Sequence, residues 1–572
     1  MTVHGRAGLA RKVLPPLYGA AALVLVAVIL PSALRPPPDT ANSSARYSPD
    51  APPDKKADAI IKSVQQAGSK TAGNISADQS TTTTPTTAPA QHTIGAPTTA
   101  PPPPPLPSRA GCFGSPPRQI ESVYSVPCQP AFTGDNGGST AFGVTGTDIN
   151  VILYCGCGIT GEINDSTTGT SGSSTAERTL NNIRRYFNAH FELYGRQLRF
   201  FAVSSPAPGA DEPTERSNAD SAYDSYHPFA AVASDADFVN DELPKRKVVT
   251  FSTGQFNNAF HAQHAPYLWT SQLTGQDSAP LSAEYVCKRL KDRPPFPTGD
   301  PLIDYRANRT FGMLADDQSR DTSASDMIAD LATCGVKPSP DVRYEYPDNF
   351  QGPIASAVLQ FRNANVSTII FNGDVIALSI AMSTAESNHY YPEWIETGYG
   401  ANDINPTLIR SYPPTQTKNL FGTSLQEIPR DPRTSECFHA ISEVDPGATP
   451  SRDTCTNLWP TLVQMVGAMQ LAGPKLTATA VTAAIPTLPA RGIDRATPWA
   501  MSGGFSAHKW SYQNAALELW WDPNATDVDG STGTYRYSDC GRRYTSGVMP
   551  ATPPRAFDTA GSTTGLTVGA CG

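Results

Sequence analysis

Charge is scarce in this sequence: Asp, Glu, Lys and Arg make up 17% of 572 residues and leave a net charge of −9. The basic residues form no cluster after residue 120. Because phosphate binding draws its affinity from clustered Lys and Arg, nucleic acid is excluded as a partner. Hydrolase motifs are missing too. No G-x-S-x-G and no H-E-x-x-H occur, and the S-x-x-K match from Ser506 to Lys509 lacks the S-D-N and K-T-G segments that would accompany it. No residue is therefore assigned a catalytic role, and the chain is not expected to be an enzyme.

Metal patterns are equally thin. The zinc spacing C-x2-C is not repeated. His261 and His264, in FHAQH, have no glutamate placed for metal-assisted hydrolysis and are read as helix-surface residues. Asp522, Asn524, Asp527 and Asp529, in DPNATDVDG, lack the Gly at the sixth and the Glu at the twelfth position of a calcium loop, which leaves a polar hairpin turn. Neither a metal nor a cofactor is expected.

Long apolar runs are absent except for residues 17–34 (LYGAAALVLVAVILPSAL), about 18 residues and close to the roughly 20 that cross a hydrocarbon core as helix. Arg6, Arg11 and Lys12 precede this run, which places the N-terminus in the cytoplasm and the rest of the chain outside. No small-x-small cleavage site follows closely, and no Cys follows that could take a lipid. Residues 1–35 are thus read as a retained single-pass membrane anchor, the alternative being secretion after signal cleavage. Residues 36–119 are dominated by Pro, Thr, Ser and Ala, including TTTTPTTAPA and PPPPPLP, too apolar-poor to order. They are read as a disordered, semi-rigid stalk.

Ten cysteines, an even count, suit disulfides in an oxidising compartment. Spacing leaves the connectivity open. Nearest-neighbour pairing would join Cys112 with Cys128, Cys287 with Cys334, Cys437 with Cys455 and Cys540 with Cys571, leaving Cys155 and Cys157 as a C-G-C feature read as structural.

From residue 147, β-rich runs alternate with amphipathic stretches, which predicts β-α units around mostly parallel sheets. DINVILYC, RQLRFFAVS, FAAVAS and RKVVTFS read as strands, with helices at 174–190, 211–226 and 235–243. After a helix at 283–290 and the Pro-rich KDRPPFPTGDP the alternation restarts. RTFGMLADD, VRYEYP, VSTIIFNGD and EWIETGYG then read as strands, with helices at 323–334, 350–363 and 375–388. Helices at 458–472 and 477–484 and a hairpin pairing ALELWWD with GTYRYSD across a long loop complete the pattern. The expected fold class is α/β, two Rossmann-like lobes with parallel sheets joined by a hinge within residues 120–572. The first lobe covers about 143–290 plus parts of 437–572, and the second about 300–430.

Several stretches, in order, resemble one family. GVTGTDINV (143–151), FNAHFELYGRQLRF (187–200), the block from VSTIIFNGD to EWIETG, and LAGPKLT and WWDPNAT with YRYSD are similar to segments of type I periplasmic binding proteins, in particular substrate-binding components related to branched-chain amino-acid transporters. The likeness covers about residues 143–544. It implies a solute-binding protein, extracytoplasmic, that captures a small polar ligand between its lobes, with an ABC-type permease as partner. A tethered surface sensor or wall-binding module on the same fold is the alternative.

Strand-end loops would line the crevice: Thr160, Gly161, Ser234, Ser252 and Thr253 on the first lobe, and Arg320, Asp374, Tyr399 and Asp403 on the second. The resemblance implies that the Ser and Thr groups hold a ligand carboxylate, although Ser234 before Asp235 also reads as a helix N-cap. Arg320 stands near the position where the family's amino-acid binders place an aromatic, and Tyr399 near their carboxylate. Asp403 replaces that carboxylate only if its loop folds back. The ligand is expected to be an amino acid, an amide or a carboxylate-bearing compound, with Arg320 favouring the last.

Overall fold

A computed structural model describes residues 112–155, 160–168, 173–204, 212–233, 237–316, 321–345, 350–404 and 406–550. The anchor and residues 36–111 of the stalk lie outside these residues, but residues 112–119, expected to be disordered, are ordered: Cys112 is joined to Cys128, Phe113 and Arg118 exchange backbone hydrogen bonds at 2.9 and 2.8 Å, and Gln119 is 2% exposed. Among the described residues no helix is long and apolar enough to cross a membrane.

The first sheet is built from β1 (Asp148–Cys155), β2 (Gly161–Ile163), β3 (Gln197–Ser204), β4 (Ala230–Ala233), β5 (Val249–Ser252) and β6 (Leu268–Thr270), in the order β2-β3-β1-β4-β5-β6. All its pairings are parallel except that of β2 with β3. β1 reads as an almost unbroken apolar run because both of its faces are covered. Successive side chains point to opposite faces. Ile149, Val151 and Leu153 pack with α1 (Thr175–His190) through Leu180, Ile183 and Phe187. Ile152 and Tyr154 pack on the other face with α2 (Glu212–Tyr226) and α3 (Asp237–Lys245) through Ala219, Ala222, Val239 and Leu243. α1 starts where the sequence places it, since the Ser174 side chain accepts the Glu177 N–H as N-cap. α4 (Asn258–His264) precedes β6.

The second sheet repeats the plan. β7 (Phe311–Asp316), β8 (Asp341–Tyr344), β9 (Thr368–Asn372), β10 (Glu393–Glu396) and β11 (Leu420–Ser424) run parallel in the order β8-β7-β9-β10-β11. Counting only the parallel strands of each lobe, and so leaving out the short antiparallel β2 at the edge of the first sheet, both follow the order second-first-third-fourth-fifth, a doubly wound arrangement. β10 and β11 approach so closely that a Cβ on Gly422, at φ +153°, would sit 2.0 Å from the Glu396 carbonyl oxygen. α5 (Gly275–Tyr285), continued by a π-helical turn at Val286–Leu290, and α6 (Ser323–Thr333) cover one face, where Leu281, Val286 and Met327 meet Met313, Ile370 and Phe421. α7 (Gln351–Asn363) and α8 (Val375–Ser387) cover the other. Residues 283–290, read from sequence with the first lobe, thus pack on the second sheet: their apolar residues match its face, and the Cys287–Cys334 disulfide fastens them to α6.

After β11 the chain returns to the first lobe with α9 (Glu436–Val444), which packs on α1, and with α10 (Arg452–Ala472) and α11 (Ala478–Ala484). α10 begins a turn and a half before the expected start at 458. Ser451 caps the helix, its side chain accepting the Thr454 N–H, and Cys437–Cys455 ties its first turn to α9; Pro460 lies inside it. The terminal hairpin, β12 (Ala515–Thr526) and β13 (Thr532–Tyr537), joins the second sheet through an antiparallel pairing of β12 with β11, and β14 (Tyr544–Thr545) pairs with β12. Its turn is short, because β12 runs on to Thr526. Arg410 holds the acids of that turn, bonding Asp527 and lying 2.9 Å from Asp529. Cys112–Cys128, the remaining nearest-neighbour pair with both members described, also forms. Cys540 is disulfide-bonded as well. Cys157 and Cys571 fall outside the described residues.

Candidate functional site

In a sheet of this order the connections run to opposite faces at the first and third strands, which leaves a crevice beyond their carboxyl ends. Those ends are β1 and β4 in the first lobe, and β7 and β9 in the second. The chain crosses between the lobes at 271–274, 425–435 and 513–514. The crossings are tied to one another: Thr270 N–H bonds the Trp510 carbonyl at 2.9 Å, Tyr512 N–H the Thr270 carbonyl at 2.9 Å, and Gln272 Nε2 bonds Gln426 Oε1 at 3.0 Å. The lobes touch where the loop after β5 meets the start of α5. There Gly275 N–H donates to the Gln255 carbonyl at 3.1 Å, and Asn258 N–H to Gln276 Oε1 at 3.0 Å.

The expected contact residues divide among several places. Ser234 and Arg320 lie outside the described residues. Thr160 is exposed and accepts the Ser204 N–H at 3.2 Å, and Gly161, at φ +128°, opens β2. Ser252 is wholly buried, its hydroxyl accepting the Gly254 N–H at 2.8 Å to close the turn after β5, with Thr253 half-buried beside it. Asp374 caps α8, accepting the N–H groups of Ile376 at 2.7 Å and Ala377 at 3.1 Å. Tyr399 is half-buried, with the Asp321 carboxyl facing its hydroxyl. The turn Tyr399–Ile404 carries Asp403 inward, where it is 1% exposed and accepts the Ser424 hydroxyl.

Sequence reading missed a polar chain across the second lobe's strand ends. Asp321 accepts the Ser323 N–H at 2.9 Å and the Ser323 hydroxyl at 2.8 Å. Ser323 in turn accepts Asn372 Nδ2 at 2.9 Å, and Asn372 Oδ1 accepts the Thr397 hydroxyl at 2.8 Å. Three strand ends and the start of α6 are thereby locked together. Burial pushes Asp321 up to about 6 against the pull of its hydrogen bonds, and Asp237 of the first lobe adds to the rise. Asp237, Asp316 and Asp321 also lift the Tyr399 hydroxyl, after burial as the main cause. Asp321 presses on the first residue of α5, where a Cβ on Gly275 would fall 2.0 Å from Asp321 Oδ1. One signal for this chain was visible: VSTIIFN ends an apolar strand on an Asn.

His261 and His264 require a correction. They are 0% and 5% exposed, not on a helix surface, because α4 is packed between β6 and Trp510. His264 joins the Phe260 carbonyl and Asp241 at 2.8 Å each, and burial holds His261 down at about 4.

No protein-family model matches the sequence, and no curated protein matches it. Solved structures do. A solute-binding protein of an ABC transporter from R. palustris, in complex with 4-hydroxybenzoate, is 10% identical, with 68% of this chain and 95% of that one covered at a TM-score of 0.47. A fatty acid ABC transporter substrate-binding protein from Thermomonospora curvata is 12% identical, with 73% and 97% covered at 0.48. A possible leucine/isoleucine/valine-binding protein from Rhodopirellula baltica is 13% identical, with 68% and 96% covered at 0.46.

Proposed function

We propose that this chain, whose two lobes repeat one doubly wound plan in the manner of type I periplasmic binding proteins, is an extracytoplasmic solute-binding protein that captures a small polar ligand between them. The observation that carries the reading is the duplication itself. Two sets of five parallel strands in the same order are joined by three crossings, and their carboxyl ends meet at the Gln255–Gly275 contact. Each crevice beyond a switch point is a ready ligand site, and closure about the crossings would complete it.

The acidic groups described at these ends include Asp237, Asp316, Asp321, Asp374, Glu396 and Asp403, with the Tyr399 hydroxyl beside them. An acidic lining favours a ligand that presents N–H donors, an ammonium or an amide, over a free carboxylate. Thr160, Gly161, Ser234, Ser252, Thr253, Arg320, Asp374, Tyr399 and Asp403 remain our proposed contacts, Arg320 being the cation of the set. Residues 17–34 would tether the receptor and residues 36–111 hold it off the bilayer, within reach of an ABC permease.

The test is thermal-shift screening of the full chain against amino acids, amides, short carboxylates and sugars. A ligand at about 100 times its Kd adds about 2.7 kcal/mol to stability. We expect an amine- or amide-bearing compound to raise the melting temperature and Asp321→Asn to reduce that shift at least tenfold in apparent affinity. A melting temperature unmoved by every compound would remove the capture reading.

A further inference from the structure

The loop after β5 is pinned at nearly every step. Ser252 accepts the Gly254 N–H at 2.8 Å, and the Thr253 N–H reaches the Ala233 carbonyl at 3.3 Å. The Gln255 carbonyl accepts the Gly275 N–H at 3.1 Å across the contact between the lobes. Asn257 Oδ1 then caps α4 by accepting the Phe260 N–H at 2.8 Å, and the Asn258 N–H donates to Gln276 Oε1 at 3.0 Å. The Gln255 side chain therefore leaves from a fixed point.

That side chain is arranged back to front. Gln255 is half-buried, yet neither its Oε1 nor its Nε2 reaches solvent, and neither has a hydrogen-bond partner among the described residues. Long amphipathic side chains ordinarily do the reverse, covering the stem and leaving the polar end in water. An amide buried without partners has given up its bonds to water and received none in return. Met, of similar length, would fill the same space without that cost, so the packing of the loop does not call for an amide.

The place is where the carboxyl ends of the two sheets meet. Gly275, which bonds the Gln255 carbonyl, lies so close to Asp321 that a Cβ on it would fall 2.0 Å from Asp321 Oδ1. Asp237 of the first lobe faces Asp321 as well. Ionised carboxylates only accept hydrogen bonds, whereas the Gln255 amide carries N–H donors beside an acceptor.

We infer that Gln255 is a specificity-determining residue of the crevice and that the group it selects is a primary carboxamide. This deepens the capture proposed above and rests on it. A carboxamide laid against the Gln255 amide gives one hydrogen bond and takes another, so Oε1 and Nε2 are filled together. An amine of the same skeleton fills Oε1 and leaves Nε2 without an acceptor. A carboxylate fills Nε2, leaves Oε1 facing an oxygen, and brings its charge towards Asp237 and Asp321. A buried polar group left unpaired by the wrong ligand is what gives such a site its selectivity.

The test is made on the full chain by thermal shift, with primary amides, amines and carboxylates matched in carbon skeleton and added one at a time. We expect an amide to bind at least about tenfold more tightly than the amine or carboxylate of its skeleton. Gln255→Met should erase that preference and leave the ligand-free melting temperature equal to or above the parent's, because the amide holds nothing in the fold. Gln255→Glu, which only accepts, should turn the preference to the amine. A preference for the amide that survives in both variants, or a parent that favours the amine or the carboxylate, would overturn the assignment and leave capture standing. So would a ligand-free Gln255→Met chain that melts well below the parent or fails to fold, since the amide would then serve the fold. A parent that no compound stabilises removes the capture reading and this assignment with it.

Discussion

β10 carries a glutamate at each end, and the two are equally buried and oppositely treated. Glu393, 0% exposed at the amino end, receives Arg309 Nε at 2.7 Å and Nη2 at 2.9 Å, the Thr368 hydroxyl at 2.6 Å and the Phe296 N–H at 2.7 Å. Glu396, 1% exposed at the carboxyl end, receives the Tyr535 hydroxyl at 2.8 Å on one oxygen, while the other is buried without a partner. Asp403 stands beside it in the same condition, with Oδ1 unpartnered. The amino edge of the second sheet is stapled by complete ionic and covalent contacts. At the carboxyl edge, where ligands bind in such folds, the chain from Asp321 to Thr397 is bonded throughout, but Glu396 and Asp403 each keep one oxygen without a partner. Burial alone therefore does not say whether a carboxylate serves the fold; its partners do.

The largest effect should come from unbalancing the stapled end. Glu393→Gln leaves the Arg309 guanidinium, 2% exposed, as a buried cation without a counter-charge, and is expected to cost about 3–5 kcal/mol in urea unfolding. Replacing both, Arg309→Met with Glu393→Leu, should recover most of that loss, because the pair is weak evidence for stability once its desolvation is counted. If the single and double variants unfold alike, the amino edge owes its stability to shape rather than to charge. Next in size is Cys287–Cys334, which closes a loop of sequence separation 47 at the same edge of the sheet. Converting both cysteines to Ala should cost about 2–4 kcal/mol by freeing the unfolded chain.

What could be read from the sequence follows the same division. The alternation that places Ile149, Val151 and Leu153 on one face and Ile152 and Tyr154 on the other is a local property, so β1 was found over its full length. β6 (LWT) and β11 (LFGTS) are too short for a period to show, and Gly422 breaks the second. The doubling of the lobes was visible because two helix-strand series restart. The side of the hinge to which residues 283–290 belong was not, because a helix shows its apolar face and not its partner. The polar chain Asp321–Ser323–Asn372–Thr397 is assembled from three strand ends, and no spacing rule connects such residues. That the Ser252 hydroxyl also closes its own turn, by accepting the Gly254 N–H, is a use no strand-end pattern shows.

The smallest effect, and the sharpest for the comparison, belongs to the other glutamate. Glu396→Gln keeps an oxygen to accept from Tyr535 and removes the charge that Asp403 opposes, so no buried ion is orphaned. Burial raises both carboxyls, Asp403 to about 6 and Glu396 well above its usual range, the repulsion between them adding to Glu396. Groups raised in the folded state hold protons that the unfolded chain has lost, so their contribution falls as pH rises from the ordinary carboxylate range through about 6 and beyond. His261, held at about 4, acts in the opposite sense as pH falls below its ordinary value, but it is common to parent and variant and cancels in their difference. The difference in melting temperature should therefore be near zero at about pH 5 and grow to a gain of about 2 °C for the variant at about pH 8, roughly what 1 kcal/mol gives in a large domain. A Glu396→Gln variant as unstable as Glu393→Gln at every pH would show that the carboxyl edge is stapled after all, and that its unpartnered oxygens are no sign of a site kept open.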